Sequence, residues 1–288
     1  MAVGARLLIG LLIDGISSGL ILAMLGLGIT LVFGLGGVLN LSLGVFSIIG
    51  ILLAIEVYDV VPSLVVAAVV AFAVTGAVGL VIDRSLLSLV YKSEGDERTL
   101  VGIFATLGLA FLLEGALIIR YPDVYSVHAD FDPFQPLGIF IRGSSVAAIA
   151  VALAVFAALY LFFNRTFVGQ ATRTVMQDEI GATLCGINTR RLRTLVFVLS
   201  AMVAAIAGIL YSFTGEVGIA SSFSLTINAV IVSVVGGVTS ISGTVVAGLI
   251  LGIITTYASA FVGAYFSAIS LFAVAIVVLL VRPGQIAS

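Results

Sequence analysis

Apolar residues in this chain come in long runs, broken at a few points by short polar islands. About twenty apolar residues cross the hydrocarbon core of a bilayer. On that measure spans are predicted near 7–33, 40–57, 62–82, 99–119, 144–163, 194–214, 225–239, 244–262 and 266–281. Glycine or polar residues interrupt the second and seventh. The pattern predicts an all-α polytopic membrane protein, a bundle of about 8–10 transmembrane helices with nine as the central reading. Residues 1–288 read as a single transmembrane domain, and 165–193 as a loop within it.

One island differs from the rest. Met176, Ile180, Leu184 and Ile187 fall at i, i+4, i+8 and i+11, which predicts one face of a short amphipathic helix. Gly186 is placed to stop or bend it, and Arg190, Arg191 and Arg193 follow. Such a helix either packs under the bundle at the membrane surface or presents a docking element to a soluble partner. The pattern alone leaves both open.

Basic residues set the orientation. Arg84, Lys92 and Arg98 lie in one polar loop, and Arg165, Arg173, Arg190, Arg191 and Arg193 in another, with two spans between them. Both loops therefore face the same side. Nine crossings put them and Arg282 in the cytoplasm and the amino terminus outside, leaving Arg6 on the outer side. The intervening loop 120–142, with Asp130, Asp132 and Pro136, is external, either as a surface for a soluble protein or as a plain connection.

Composition narrows the function classes. Hydrophobic residues make up 61% and charged residues 9%, with mean hydropathy +1.34, which excludes a soluble fold; with net charge −2 no nucleic-acid partner is expected. The start lacks the basic segment and small-residue cleavage site of a signal peptide, and Leu7 onward reads as a retained span. Cys185 and His128 each stand alone in the sequence, so no internal disulfide, metal site or cofactor is expected. No Gly-x-x-x-x-Gly-Lys phosphate loop occurs, which puts nucleotide hydrolysis on another polypeptide.

Gly36-Gly37-Val38 followed by Ser42 recurs as Gly236-Gly237-Val238 followed by Ser242, at an offset of 200 residues. Composition alone can yield paired glycines that serve helix packing. A parallel internal repeat is the other reading, because transporters built from repeats place broken helices along their path. Exposed backbone at membrane depth is tolerated only inside protein or beside a water-filled cavity. Asn40, Ser42 and Gly44, with Gly236, Gly237, Ser240 and Ser242, are therefore candidates for a translocation path or its cytoplasmic gate. Asp14 and Glu114 sit within apolar spans, where a carboxylate is costly. Each needs a structural partner, or else serves a self-contained proton- or cation-coupled secondary transporter.

The run Gly169 to Asn188, followed by Arg191 and Val196-Phe197-Val198-Leu199-Ser200-Ala201, resembles the cytoplasmic loop of branched-chain amino acid ABC transporter permeases. Leu25 to Gly34 with Val38 to Gly44 is similar to that family's amino-terminal signature. Val235 to Gly243 with Gly248 to Gly252 resembles a second, and Leu279 to Pro283 also fits. The resemblance implies a permease subunit of an ATP-driven importer in the plasma (inner) membrane. Its partners would be two cytoplasmic ATPase subunits, a second homologous or identical permease subunit and an external substrate-binding protein. Asp178, Glu179, Ala182, Gly186, Ile187 and Asn188 would be the ATPase-coupling positions. Branched-chain amino acids, other amino acids, amides and urea all remain open as substrates.

Overall fold

A computed structural model describes residues 2–93, 95–127 and 140–281. His128, Asp130, Asp132, Pro133, Pro136, Arg282 and Pro283 lie outside the described residues. Among the described residues, eight helices are long and apolar enough to cross a membrane, and a ninth, shorter apolar helix spans Ser221–Gly236.

The first helix, α1 (Ala2–Gly36), forms the spine. Next come α2 (Leu43–Val60) and α3 (Leu64–Ile82). A π-helical turn, Asp83–Leu87, and the short α4 (Ser88–Val90) extend α3. The chain then forms α5 (Gly95–Arg120), strand β1 (Val124–Tyr125) and α6 (Gly143–Arg165). The polar segment after α6 carries α7 (Phe167–Gln177) and α8 (Glu179–Leu184). Helix α9 (Thr189–Ser212), strand β2 (Val217–Gly218), α10 (Ser221–Gly236), α11 (Ile241–Phe261) and α12 (Ala264–Val281) complete the chain.

Contacts between element ends fix the course of the chain. Near its start α1 meets the start of α6, where Ser145 donates to Asp14 at 2.6 Å. The end of α1 meets the start of α5, where Thr99 donates to the Gly37 carbonyl at 2.9 Å. β1 pairs antiparallel with β2, tying the α5–α6 connection to the α9–α10 connection on the outer side. With the basic loops on the cytoplasmic side, α1 runs inward and α9 outward. Thr30 lies 2.8 Å from both Ser233 on α10 and Thr244 on α11, so α10 descends beside α1 and α11 climbs back. On that orientation the start of α1 lies outside and α12 ends inside.

Two elements depart from simple spans. Residues 37–42 are not helical, yet they enter the bundle from the side of the basic loops. The Leu41 N–H donates to Thr106 Oγ1 at 3.0 Å, and Thr106 lies roughly 16 Å up α5 from its start. Thr106 also donates toward the Leu39 carbonyl at 3.1 Å. The predicted start of the second span at 40 thus moves to Leu43, because the preceding backbone is satisfied by side chains. Helix α10 is about 24 Å long and starts below the outer surface, where Ser222 donates to Glu114 at 3.0 Å. The predicted span 225–239 shifts to 221–236 accordingly.

The repeat is present in three dimensions. α1 and α10 run the same way, end at Gly36 and Gly236, and are followed by Gly37 and Gly237 at φ +63 and +93. These are left-handed values that a side chain disfavours. The packing repeats too, with partners exchanged. A Cβ on Gly26 would lie 2.9 Å from Thr244, and 200 residues away the Gly44 N–H donates to Thr226 at 3.0 Å. Each copy's second helix packs on the other copy's first.

Candidate functional site

The polar segment between α6 and α9 is built from two helices, not the single helix predicted over 176–187. Asp178 has extended backbone (φ −153, ψ 99) and separates α7 from α8, while its side chain accepts from the Gly181 N–H at 2.9 Å and so caps α8. Satisfying the orphan donors of a new helix start outweighs continuing the old helix. At the other end Gly186 adopts φ +82 and turns the chain toward α9, which Asn188 caps by accepting from the Arg191 N–H at 3.1 Å.

This break divides the predicted apolar face. Met176 and Ile187 pack against the bundle core. Ile180 and Leu184 point away from it, 76% and 84% exposed. The inward side of α8 is made by Ala182, 1% exposed, and by Glu179. A solvated helix buries its large aliphatic side chains; α8 exposes them and buries an alanine.

Glu179 is held by two cations. Arg193 on α9 forms an ion pair with it, and Arg98 on α5 approaches to 3.5 Å. The Arg193 guanidinium, 7% exposed, also lies over the Tyr91 ring at 4.9 Å. Burial raises the Tyr91 phenol well above its ordinary range, so it stays neutral. Sequence reasoning grouped Arg193 with the surface arginines. Its spacing from the apolar positions Leu192, Val196 and Phe197 on one side of α9 was the available signal.

The polar residues of the repeat fall into two places. Asn40 and Ser42 are completely enclosed by protein. Asn40 Oδ1 accepts from the Ser42 N–H at 3.1 Å and from its hydroxyl at 2.7 Å, bridging the non-helical stretch before α2. Gly44 packs against the Ser222 carbonyl so closely that a Cβ would collide with it. Gly236, Gly237, Ser240 and Ser242 instead line a groove of about 610 Å³ beside α12. Ser242 is exposed, and Ser240 caps α11 by accepting from the Gly243 N–H at 3.1 Å. The two groups are linked through α1 and α10 and do not form one cluster.

The isolated carboxylates have partners. Asp14 accepts from Ser145 and lies 3.9 Å from Arg142, and Glu114 accepts from Ser222.

A bundle of long apolar helices with an internal parallel repeat and a capped polar segment defines the class: a multi-pass helical membrane protein. Residues 11–281 match the family described as branched-chain amino acid transport system / permease component, and the chain belongs to it. It is a membrane-spanning subunit of an ABC importer, and ATP hydrolysis is not its own. It is similar to the high-affinity branched-chain amino acid transport system permease protein BraD of Pseudomonas aeruginosa, at 28% identity over 96% of this chain and 94% of that one. LivH of Escherichia coli, a permease protein of the same description, is 29% identical over 95% and 93%. A probable branched-chain amino acid transport permease protein of Methanocaldococcus jannaschii is 30% identical over 84% and 79%. Among solved structures, PsaBC from Streptococcus pneumoniae in complex with Fab shares the fold, with a TM-score of 0.53, 14% identity and coverage of 96% and 92%.

Proposed function

We propose that α8 is the element through which a cytoplasmic ATPase moves this permease, and that the substrate is a branched-chain or closely related amino acid. The observation that carries the coupling role is the inverted amphipathicity of α8. Ile180 and Leu184 are turned away from the bundle on the cytoplasmic side, while Glu179 and Ala182 fasten the helix to it. An exposed aliphatic pair costs free energy in water and recovers it in a cleft that fits it. The relatives' descriptions support the substrate class.

Two such permease subunits, identical or homologous, would enclose the path, each holding one ATPase, with substrate delivered by an external binding protein. The glycine joints after α1 and α10 are where the bundle would flex as α8 moves. Asn40, Ser42 and Gly44 would keep the first joint's backbone satisfied, and the groove at Gly236 to Ser242 would form part of the cytoplasmic gate.

The test is co-purification of the ATPase with Ile180→Asp and Leu184→Asp, beside a detergent folding control. Both side chains are exposed, so the permease should fold normally. A charge placed unpaired in a contact costs on the order of several kcal/mol; ATPase association and ATP-dependent uptake should both be lost. Full association of both variants would show that α8 is an interfacial element and not the coupling helix.

A further inference from the structure

Between α3, its π-helical extension and the first half of α9 runs a groove of about 1100 Å³. Its membrane-side wall is apolar and includes Ala77, Leu80 and Met202, while Arg84, Arg190 and Arg191 line its cytoplasmic mouth. All three arginines are exposed, and among the described residues none forms an ion pair. Asp83 is the acidic group facing them. It is 4% exposed, accepts from Thr194 at 2.6 Å and lies within electrostatic range of Arg84 and Arg190 without ion-pair contact to either. Even with that carboxylate ionised, the mouth keeps a surplus of positive charge.

The placement of Arg190 and Arg191 adds to the case for an anion. They occupy the first turn of α9, where the helix dipole disfavours cations. Staying on the cytoplasmic side does not require them to converge with Arg84 on one opening. An anion seated there offsets both the dipole and the mutual repulsion. The groove behind it is walled by apolar side chains, among them Leu195, Val198 and Leu199, at the depth of the inner leaflet.

We propose that this groove binds one anionic phospholipid of the cytoplasmic leaflet, its phosphate at Arg84, Arg190 and Arg191 and an acyl chain along Ala77, Leu80 and Met202. Basic pockets between helices at the cytoplasmic surface recognise such headgroups, and hydrocarbon fills an apolar groove that water leaves unsatisfied. The lipid joins α3 to α9 directly above Asn188, the residue that ends the cytoplasmic segment. This assignment depends on the groove's chemistry and orientation and not on the coupling role of α8.

The experiment is native mass spectrometry of the purified transporter, titrated with dioleoyl phosphatidylglycerol and, separately, with dioleoyl phosphatidylcholine. Phosphatidylglycerol should be retained in preference to phosphatidylcholine. The combined variant Arg84→Gln, Arg190→Gln, Arg191→Gln should lose that preference by about fivefold per arginine removed. Ala77→Trp fills the groove with every charge intact and should also release the lipid, with the thermal midpoint of each variant as its folding control. Undiminished phosphatidylglycerol retention in both folded variants overturns the proposal. Displacement of the lipid by excess soluble glycerol phosphate would identify a plain anion site, and loss of a subunit contact in Ala77→Trp without change in lipid retention would identify a protein interface. Either result also overturns it.

Discussion

At the scale of single residues, close backbone approach decides what the sequence tolerates. Gly44 sits where α2 meets α10, and any side chain there would strike the Ser222 carbonyl and crowd Thr226. A displaced strand of backbone inside a packed bundle cannot yield as a flexible side chain can. Gly44→Ala is expected to destabilise the protein by roughly 1–3 kcal/mol, read as a fall in thermal midpoint in detergent. Gly37 is the useful contrast, because nothing lies within 4 Å of a Cβ built there, and only its left-handed backbone resists substitution. Gly37→Asn should therefore cost clearly less than Gly37→Val, since Asn tolerates that conformation and a β-branched residue does not. Equal costs for the two substitutions would mean that side-chain space, and not backbone conformation, controls this joint.

At the scale of elements, the long spans were legible because twenty apolar residues admit few arrangements in a bilayer. The repeat was legible because both copies kept their glycines at one offset. That glycine and polar residues interrupt two spans was legible; the path the chain takes through them was not. That residues 37–42 run through protein depends on Thr106, some sixty residues away, supplying hydrogen bonds to Leu39 and Leu41, and no local pattern records that. The break at Asp178 was missed because the helical period of Met176, Ile180, Leu184 and Ile187 runs straight across it, whereas capping by Asp178 and the Arg98 and Arg193 contacts to Glu179 favour a second helix. Those contacts make Glu179 a strut between α8 and the bundle. Glu179→Gln leaves Arg193 largely buried with its charge uncompensated. Because Glu179 itself is partly solvated, the expected loss is roughly 1–3 kcal/mol. Hydrogen exchange over 178–188 should quicken, and ATP hydrolysis by the assembled transporter should continue with diminished uptake. Unchanged exchange and uptake would show that α8 is held by packing at Ala182 alone.

At the scale of the whole molecule, everything turns on which way the bundle sits in the membrane. The contacts force the ends of α1, α3, α7 and α10 to share one side with the starts of α5 and α9, and the β1–β2 pairing holds two connections together on the other. Arginine and lysine are concentrated on the first side, which the charge rule makes cytoplasmic. That single assignment places Ile180 and Leu184 where an ATPase can reach them and Arg84, Arg190 and Arg191 at the inner leaflet. A reversed bundle would move both out of reach, so topology is the most economical test of the whole reading. In a Cys185→Ser background, Ser93→Cys and Thr189→Cys should react with a membrane-impermeant thiol reagent only in inside-out vesicles. Thr214→Cys, beside β2 and exposed, should react only in right-side-out cells. Thr214 follows α9 directly, so Thr189 and Thr214 report the two ends of one helix. If both label from the same face, α9 does not cross the bilayer and the nine-crossing arrangement fails. If all the labels exchange sides, the bundle is inverted and the coupling and lipid assignments fall together.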